Sequence, residues 1–213
     1  MTRLLRTLAL PTAIAATLAL TSCGTSSDTS ADSQSGMSEM TTTAPKVTGT
    51  PATGAKSSAD IAFASGMIPH HAQAVTMADL APKLAADPKV KALAAKIKQA
   101  QGPEIARMSG WLTGWGEPIP GVGGGHDMSG MGDQQEGMMS SEEMTGLGKA
   151  TGSAFDRMWL QAMTKHHQGA VAMARTELAE GVNPEAKKLA QSIIDSQSAE
   201  IAEMQSILTK IPN

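Results

Sequence analysis

The sequence predicts an all-α protein, an antiparallel four-helix bundle built from two repeated helical hairpins. Three observations carry that expectation. Met67-Ile-Pro-His-His71 returns as Met163-Thr-Lys-His-His167, and the offset of 96 residues (His70 to His166) holds without a gap. It pairs Asp60 with Asp156, Phe63 with Trp159, Pro88 with Pro184, Ile97 with Ile193, Gln101 with Gln197, Glu104 with Glu200 and Leu112 with Leu208. A match that stays in register from Asp60 to Leu112 marks a duplicated unit. Apolar residues in both copies recur at steps of three and four, the helical period. Tyr is absent, Phe occurs twice and Trp three times, which argues against an aromatic-rich sheet sandwich. Ala, Leu, Lys, Glu and Met fill the periodic segments instead, and these suit helices.

Taken from the amino terminus, Arg3 and Arg6 precede an apolar run from Leu8 to Leu20. The run is too short for a spanning helix and reads as a secretory leader covering residues 1–22. It ends in Leu20-Thr21-Ser22-Cys23, which resembles the bacterial lipobox, with Cys23 the only cysteine of the chain. Lipidation at Cys23 is the expected outcome, placing the protein outside the cell and anchored to the outer face of the cell membrane. Acylation would consume the only thiol, which excludes disulfides and thiolate metal ligation for the monomer. Residues 23–57 are Ser, Thr, Gly, Ala and Pro with little to bury besides Met37 and Met40. Such a stretch cannot offset its ordering entropy and is expected to be a disordered tether. The formal charge of −3 becomes more negative once Arg3 and Arg6 are removed, and no predicted helix carries a basic stripe, so nucleic acid is not an expected partner.

The bundle domain is expected over residues 58–213. Ser57 or Ser58 can cap a first helix running to about Ala81, with Pro82 beyond it. Asp87-Pro88 supplies a cap followed by proline at the first helical position, opening a second helix that runs to about Gly114. Gly152-Ser153 begins a third helix, with Ser153 and Asp156 spaced as a capping box. Gly181 is placed to end it as a C′ residue. Asn183-Pro184 repeats the cap-plus-proline signal and starts a fourth helix reaching Ile211. Pro69 and Pro103 lie inside the first hairpin's helices, where the second has Lys165 and Ala199, and each removes a backbone bond and invites a kink.

Each helix carries polar groups within its apolar stripe. Phe63, Met67, His70, Ala74 and Met77 form one face of the first helix; Trp159, Met163, His166, Ala170 and Met173 form the equivalent face of the third. Ile97, Gln101, Glu104, Met108 and Trp111 line the second, and Ile193, Gln197, Glu200, Met204 and Ile207 the fourth. His71 and His167 sit on adjoining stripes. Buried unpaired, such groups would cost about 1–3 kcal/mol each. They are expected to pair with one another, imidazole N–H to carboxylate or amide. Methionine at helical spacing ordinarily fills core, yet Met67 is three residues from His70 and four from His71, the spacing at which helical side chains meet. Thioether plus imidazole, with no thiolate available, suits a cuprous ion.

The Gly/Met-rich loop at about 117–140 points the same way. His126, Met128 and Met131, followed by Met138, Met139 and Met144, concentrate soft donors in a segment with no core to fill. They are expected to be exposed and to act as a metal-collecting arm.

The paired Met-x-x-His-His helices, the segments Gln101–Met108 and Gln197–Met204 (Gln-x-x-Glu-Ile-x-x-Met), and Trp111-Leu-x-x-Trp-Gly116 resemble the domain of unknown function 305 family. The resemblance covers roughly residues 58–210 and implies an exported, ferritin-like four-helix architecture in which some members bind copper or silver. Carried onto this chain, it implies metal ligation by Met67, His70, His71, Met77 and Met108 and by Met163, His166, His167, Met173 and Met204. Gln101, Glu104, Gln197 and Glu200 would support those ligands from behind. The second copy has Thr164-Lys165 where the first has Ile-Pro, a departure that sets its site apart.

The function expected from these features is sequestration or transfer of Cu(I) or Ag(I), without catalysis. Its partners are the membrane through the Cys23 anchor, the metal ions themselves, and either a second copy or a metal-exchange protein. Two other classes compete with it. A structural or partner-binding bundle would use the polar layer only to fix register. A di-metal oxidase of ferritin-like type would need a Glu-x-x-His on two helices, and the sequence has none.

Overall fold

A computed structural model of the chain describes residues 54–121 and 136–212. Within them lie five helices: α1 (Ser58–Leu84), α2 (Pro88–Trp115), α3 (Ser141–Lys149), α4 (Gly152–Glu180) and α5 (Pro184–Leu208). Cys23, Met37, Met40, His126, Met128 and Met131 fall outside the described residues. Among the described residues no helix is long and apolar enough to cross a membrane.

Local chemistry sets the helix ends. Ser57 and Asp60 form a reciprocal capping box at the start of α1. Just before it, Lys56 donates to the Trp115 carbonyl at 2.5 Å and to Glu117 at 2.8 Å, and the Ala55 carbonyl accepts from the Asn183 amide at 3.1 Å. Asp87 and Asn183 cap α2 and α5, each followed by proline in the first turn. Gly116 ends α2 with φ 74°, a left-handed geometry that glycine adopts without a Cβ penalty.

Several boundaries differ from expectation. Pro69 and Pro103 lie inside α1 and α2 as expected, but α1 also runs through Pro82 to Leu84, and α2 ends at Trp115. α5 stops at Leu208 rather than Ile211. Gly181 is not a left-handed C′ residue, since its φ is −68°. Glycine suits the position for space, because a Cβ would sit 2.6 Å from the Glu177 backbone carbonyl as well as against the Glu177 carboxyl. The Ser153–Asp156 capping box does not form; Thr151 is the N-cap of α4 and has no side-chain cap bond. The Asp156 carboxylate instead accepts from Ala86 N and Asp87 N at 2.9–3.2 Å, holding the α1–α2 turn. Asp60 does the reciprocal work, accepting from Val182 N and Asn183 N in the α4–α5 turn at 2.8–3.3 Å. Each aspartate thus clamps the turn of the other helix pair.

α3 was not expected. It has its own capping box, Ser140 with Glu143, and buries Leu147. Met139 is 8 % exposed and Met144 packs against the same apolar cluster. The expectation that Met138, Met139 and Met144 stand exposed is therefore corrected: Met139 fills core, Met144 is partly buried against it, and Met138 is partly buried.

The long helices run back and forth. Along α1 and α2, side-chain pairs Asp79–Lys98, His71–Glu104 and Lys56–Glu117 show one residue number rising as the other falls. α4 and α5 pack likewise, and α1 packs against α4. Two apolar cores result. One contains Phe63, Met67, Met108, Trp111, Ala170 and Ile193; the other contains Met77, Ile97, Trp159, Met163, Met204 and Ile207. On every long helix the residues between the two cores are polar: His70 and His71, Gln101 and Glu104, His166 and His167, Gln197 and Glu200.

Candidate metal centre

The polar layer lies deep inside. His70, His71, His166 and His167 are all fully or almost fully buried, as are Gln101, Gln197 and Glu200. Both members of each adjacent histidine pair therefore face inward, an outcome that stripe counting left open. The α1–α4 contact brings His70 against His166, with ring centroids 3.8 Å apart and planes tilted by 42°.

Two carboxylates hold the other two rings. His71 Nε2 lies 2.8 Å from Glu104 Oε2, and His167 Nε2 lies 2.9 Å from Glu200 Oε2. Lys96 reaches Glu200 from α2 at 3.7 Å. A carboxylate accepts, so in a neutral ring the N–H sits on Nε2 and Nδ1 keeps its lone pair. His70 follows the same logic, since its Nε2 lies 3.4 Å from the Glu136 carbonyl, which can only accept.

Burial pushes the His70 imidazole down to about 3, with the neighbouring His71 adding to the shift. Burial, then His70, holds His166 well below the ordinary imidazole value. Burial also lowers His167, although Glu200 opposes it. These three rings are neutral at pH 7 and present lone pairs rather than charges. Nδ1 of His70, His71 and His167 and both ring nitrogens of His166 are buried with no hydrogen-bond partner, as are Oε1 of Gln101 and Gln197. The glutamines do not satisfy the imidazoles as expected. So many orphaned polar atoms in one layer call for an explanation beyond packing.

Methionine borders this layer on both sides. Met67 and Met108 belong to one core, Met163 and Met204 to the other, and all four are fully buried. Met77 is also buried in the second core. Its counterpart Met173 is only half-buried at the edge of the first, so the two stripes are not equivalent there. Among the described residues no three His, Cys, Asp or Glu side chains gather as a ready ligand group. Any closed site would need thioether or further donors beside an imidazole. The residues present fit a soft monovalent cation: neutral imidazole nitrogen, buried thioether sulfur, and carboxylates placed behind the rings.

One feature sequence reasoning missed is the segment after residue 135. Glu136–Met139 lies over the His70–His166 pair, a contact that no local periodicity announces.

A family model described as domain of unknown function (DUF305) matches residues 60–208. The chain is similar to the crystal structure of a DUF305 protein from Streptomyces coelicolor that is inferred to be secreted. The two are 36% identical, over 72% of this chain and 93% of that one, with a TM-score of 0.64. A DUF305 fragment from Deinococcus radiodurans is 30% identical over 74% of this chain and 99% of that one, with a TM-score of 0.65. CopM in its Cu(II)-bound form is 36% identical over 71% and 96% of the two chains, with a TM-score of 0.60. CopM has also been solved with Cu(I) and with silver. The chain matches no curated protein.

Proposed function

Because the chain belongs to the DUF305 family, and is similar to a protein solved with copper and silver bound, we propose that it binds Cu(I) and Ag(I) outside the cell. In this reading the ligands come from His70, His71, His166 and His167 together with the bordering methionines Met67, Met108, Met163 and Met204. Glu104 and Glu200 fix ring orientation and tautomer, leaving Nδ1 available. The role is sequestration or transfer of the ion, with no bond of a substrate broken. Cys23 anchors the protein to the membrane surface, and residues up to the α1 cap serve as its tether. The two helix pairs descend from one duplicated hairpin, a reading supported by the Asp60 and Asp156 clamps and by the like-placed His–Glu contacts.

The observation that carries the proposal is the set of buried imidazoles whose Nδ1 atoms have no partner, with His70, His166 and His167 held neutral by burial. Each such atom costs about 1–3 kcal/mol when left unmade. A bound soft cation removes that cost by taking the lone pairs. A bundle whose polar layer served only register would be expected to satisfy its own polar atoms, as the His71–Glu104 and His167–Glu200 contacts do in part.

The test is anaerobic loading of a Cys23→Ser protein with Cu(I), followed by metal analysis. A variant combining His70→Leu with His166→Leu is expected to bind less metal while its helix content is unchanged. Equal stoichiometry in the two folded proteins would end the proposal.

A further inference from the structure

Two positions that correspond across the internal repeat differ in kind: α1 carries Gln73 where α4 carries Gly169. Both touch the same piece of chain. The Gln73 side-chain amide donates to the Met139 carbonyl at 2.8 Å, and Met139 N donates to Gln73 Oε1 at 2.8 Å. This pairing ties residue 139 to α1 as a neighbouring strand would be tied. On the facing helix, a Cβ at Gly169 would run into the Glu136 carbonyl, 2.7 Å from its carbon and 3.2 Å from His70 Nε2. Gly137 answers from the other side. It has φ 90°, and a Cβ there would sit 2.6 Å from the Lys165 carbonyl and 3.2 Å from His166 Cα. The Glu136 carbonyl ends up 3.4 Å from His70 Nε2.

We propose that Glu136–Met139 is a strap that governs access to the His70–His166 imidazole pair, latched by Gln73 and seated in the gap left by Gly169. The geometry supports this in three ways. The strap's backbone lies against both helices at the level of the two histidines. Its closest approaches occur where side chains are missing, so contact is backbone to helix with nothing between. Apart from the His70 contact itself, the side-chain hydrogen bonds that hold it come from Gln73, with no sheet or helix ladder to add to them. Local opening of such a segment requires far less than global unfolding. That the reagent admitted in life is a soft cation rests on the function proposed above; that the strap controls the approach does not.

The experiment separates the two. In the full-length protein, Gln73→Leu keeps side-chain bulk but removes both bonds to Met139. Gly169→Ala improves helix propensity in α4 while displacing Glu136. Diethyl pyrocarbonate modification is followed ring by ring by mass spectrometry, alongside hydrogen exchange at the Met139 amide and the rate of Ag(I) uptake. Both variants are expected to modify His70 and His166 about tenfold faster, the scale of one to two lost hydrogen bonds. His71 and His167, held by Glu104 and Glu200, keep their parental rates, and Met139 exchange accelerates. Unchanged rates at His70 and His166 would overturn the strap. So would an equal rise at all four rings, which signals general destabilisation. Ag(I) uptake should accelerate in parallel. Absence of Ag(I) binding in the parent protein would instead remove the metal reading, with the modification rates still deciding the strap.

Discussion

In the α1–α2 pair, His71 lies 2.8 Å from a Glu104 side chain that is 17 % exposed; in the α4–α5 pair, His167 lies 2.9 Å from a Glu200 side chain that is 5 % exposed and approached by Lys96. The first pair contributes the latch Gln73, the second the bare seat Gly169. Met77 is wholly buried while Met173 is half-buried. α1 carries Ala81 where α4 carries Glu177. The same chemistry at the same spacing is thus set in two different surroundings. Among the described residues, the departures from symmetry fall where Glu136–Met139 meets the layer: Gln73 holds that segment on one helix and Gly169 leaves room for it on the other.

The methionines offer the largest way to test how far the two pairs differ. Met77→Ala is expected to cost about 2–5 kcal/mol of stability, the usual range for emptying a packed core position. Met173→Ala should cost about 1 kcal/mol, as at a half-buried site. Urea denaturation of the two variants measures both, and equal losses would show the stripes to be equivalent after all.

A smaller effect concerns the clamp at Asp60. Burial first, and then the Asp60 carboxylate, push Glu177 up to about 8, well above its ordinary 4.5. Burial alone would raise Asp60 too, but hydrogen bonds from Ser57 and Asn183 bring it down to about 2. Because the Glu177 pKa is higher folded than unfolded, the folded state holds its proton over a range where the unfolded chain has lost it. Its contribution is fully present below about 4.5 and is lost as pH rises through about 8. Glu177→Gln should flatten the decline in stability across that window, measured as thermal midpoint against pH. An unchanged slope would place the titrating group elsewhere.

Much of the fold was legible in the residues. Proline after Asp87 and after Asn183 marked two helix starts, and the periodicity of His70, Met67 and Phe63 put that face inside. What escaped were interactions between distant segments. Asp156 looked like half of a local capping box, yet its carboxylate serves Ala86 and Asp87 across the fold. Gly181 looked like a left-handed terminator, yet it is glycine because Glu177 occupies the space. Met139 and Met144 looked exposed because the residues around them are mostly Gly, Ser, Thr and Glu, and short helices such as α3 have too few turns for periodicity to declare them. At the layer itself, the pattern showed that histidines and glutamates share a level. It could not show that His70 meets His166, that both members of each pair turn inward, or that Glu136 lies above them. Those facts depend on the α1–α4 contact and on a single backbone approach.

The most direct test of the central claim is X-ray absorption at the copper edge of the Cu(I)-loaded protein, read for the identity of the atoms around the metal. An imidazole layer bordered by methionine predicts a mixed shell of nitrogen and sulfur. A shell of nitrogen and oxygen alone, with no sulfur, would contradict it.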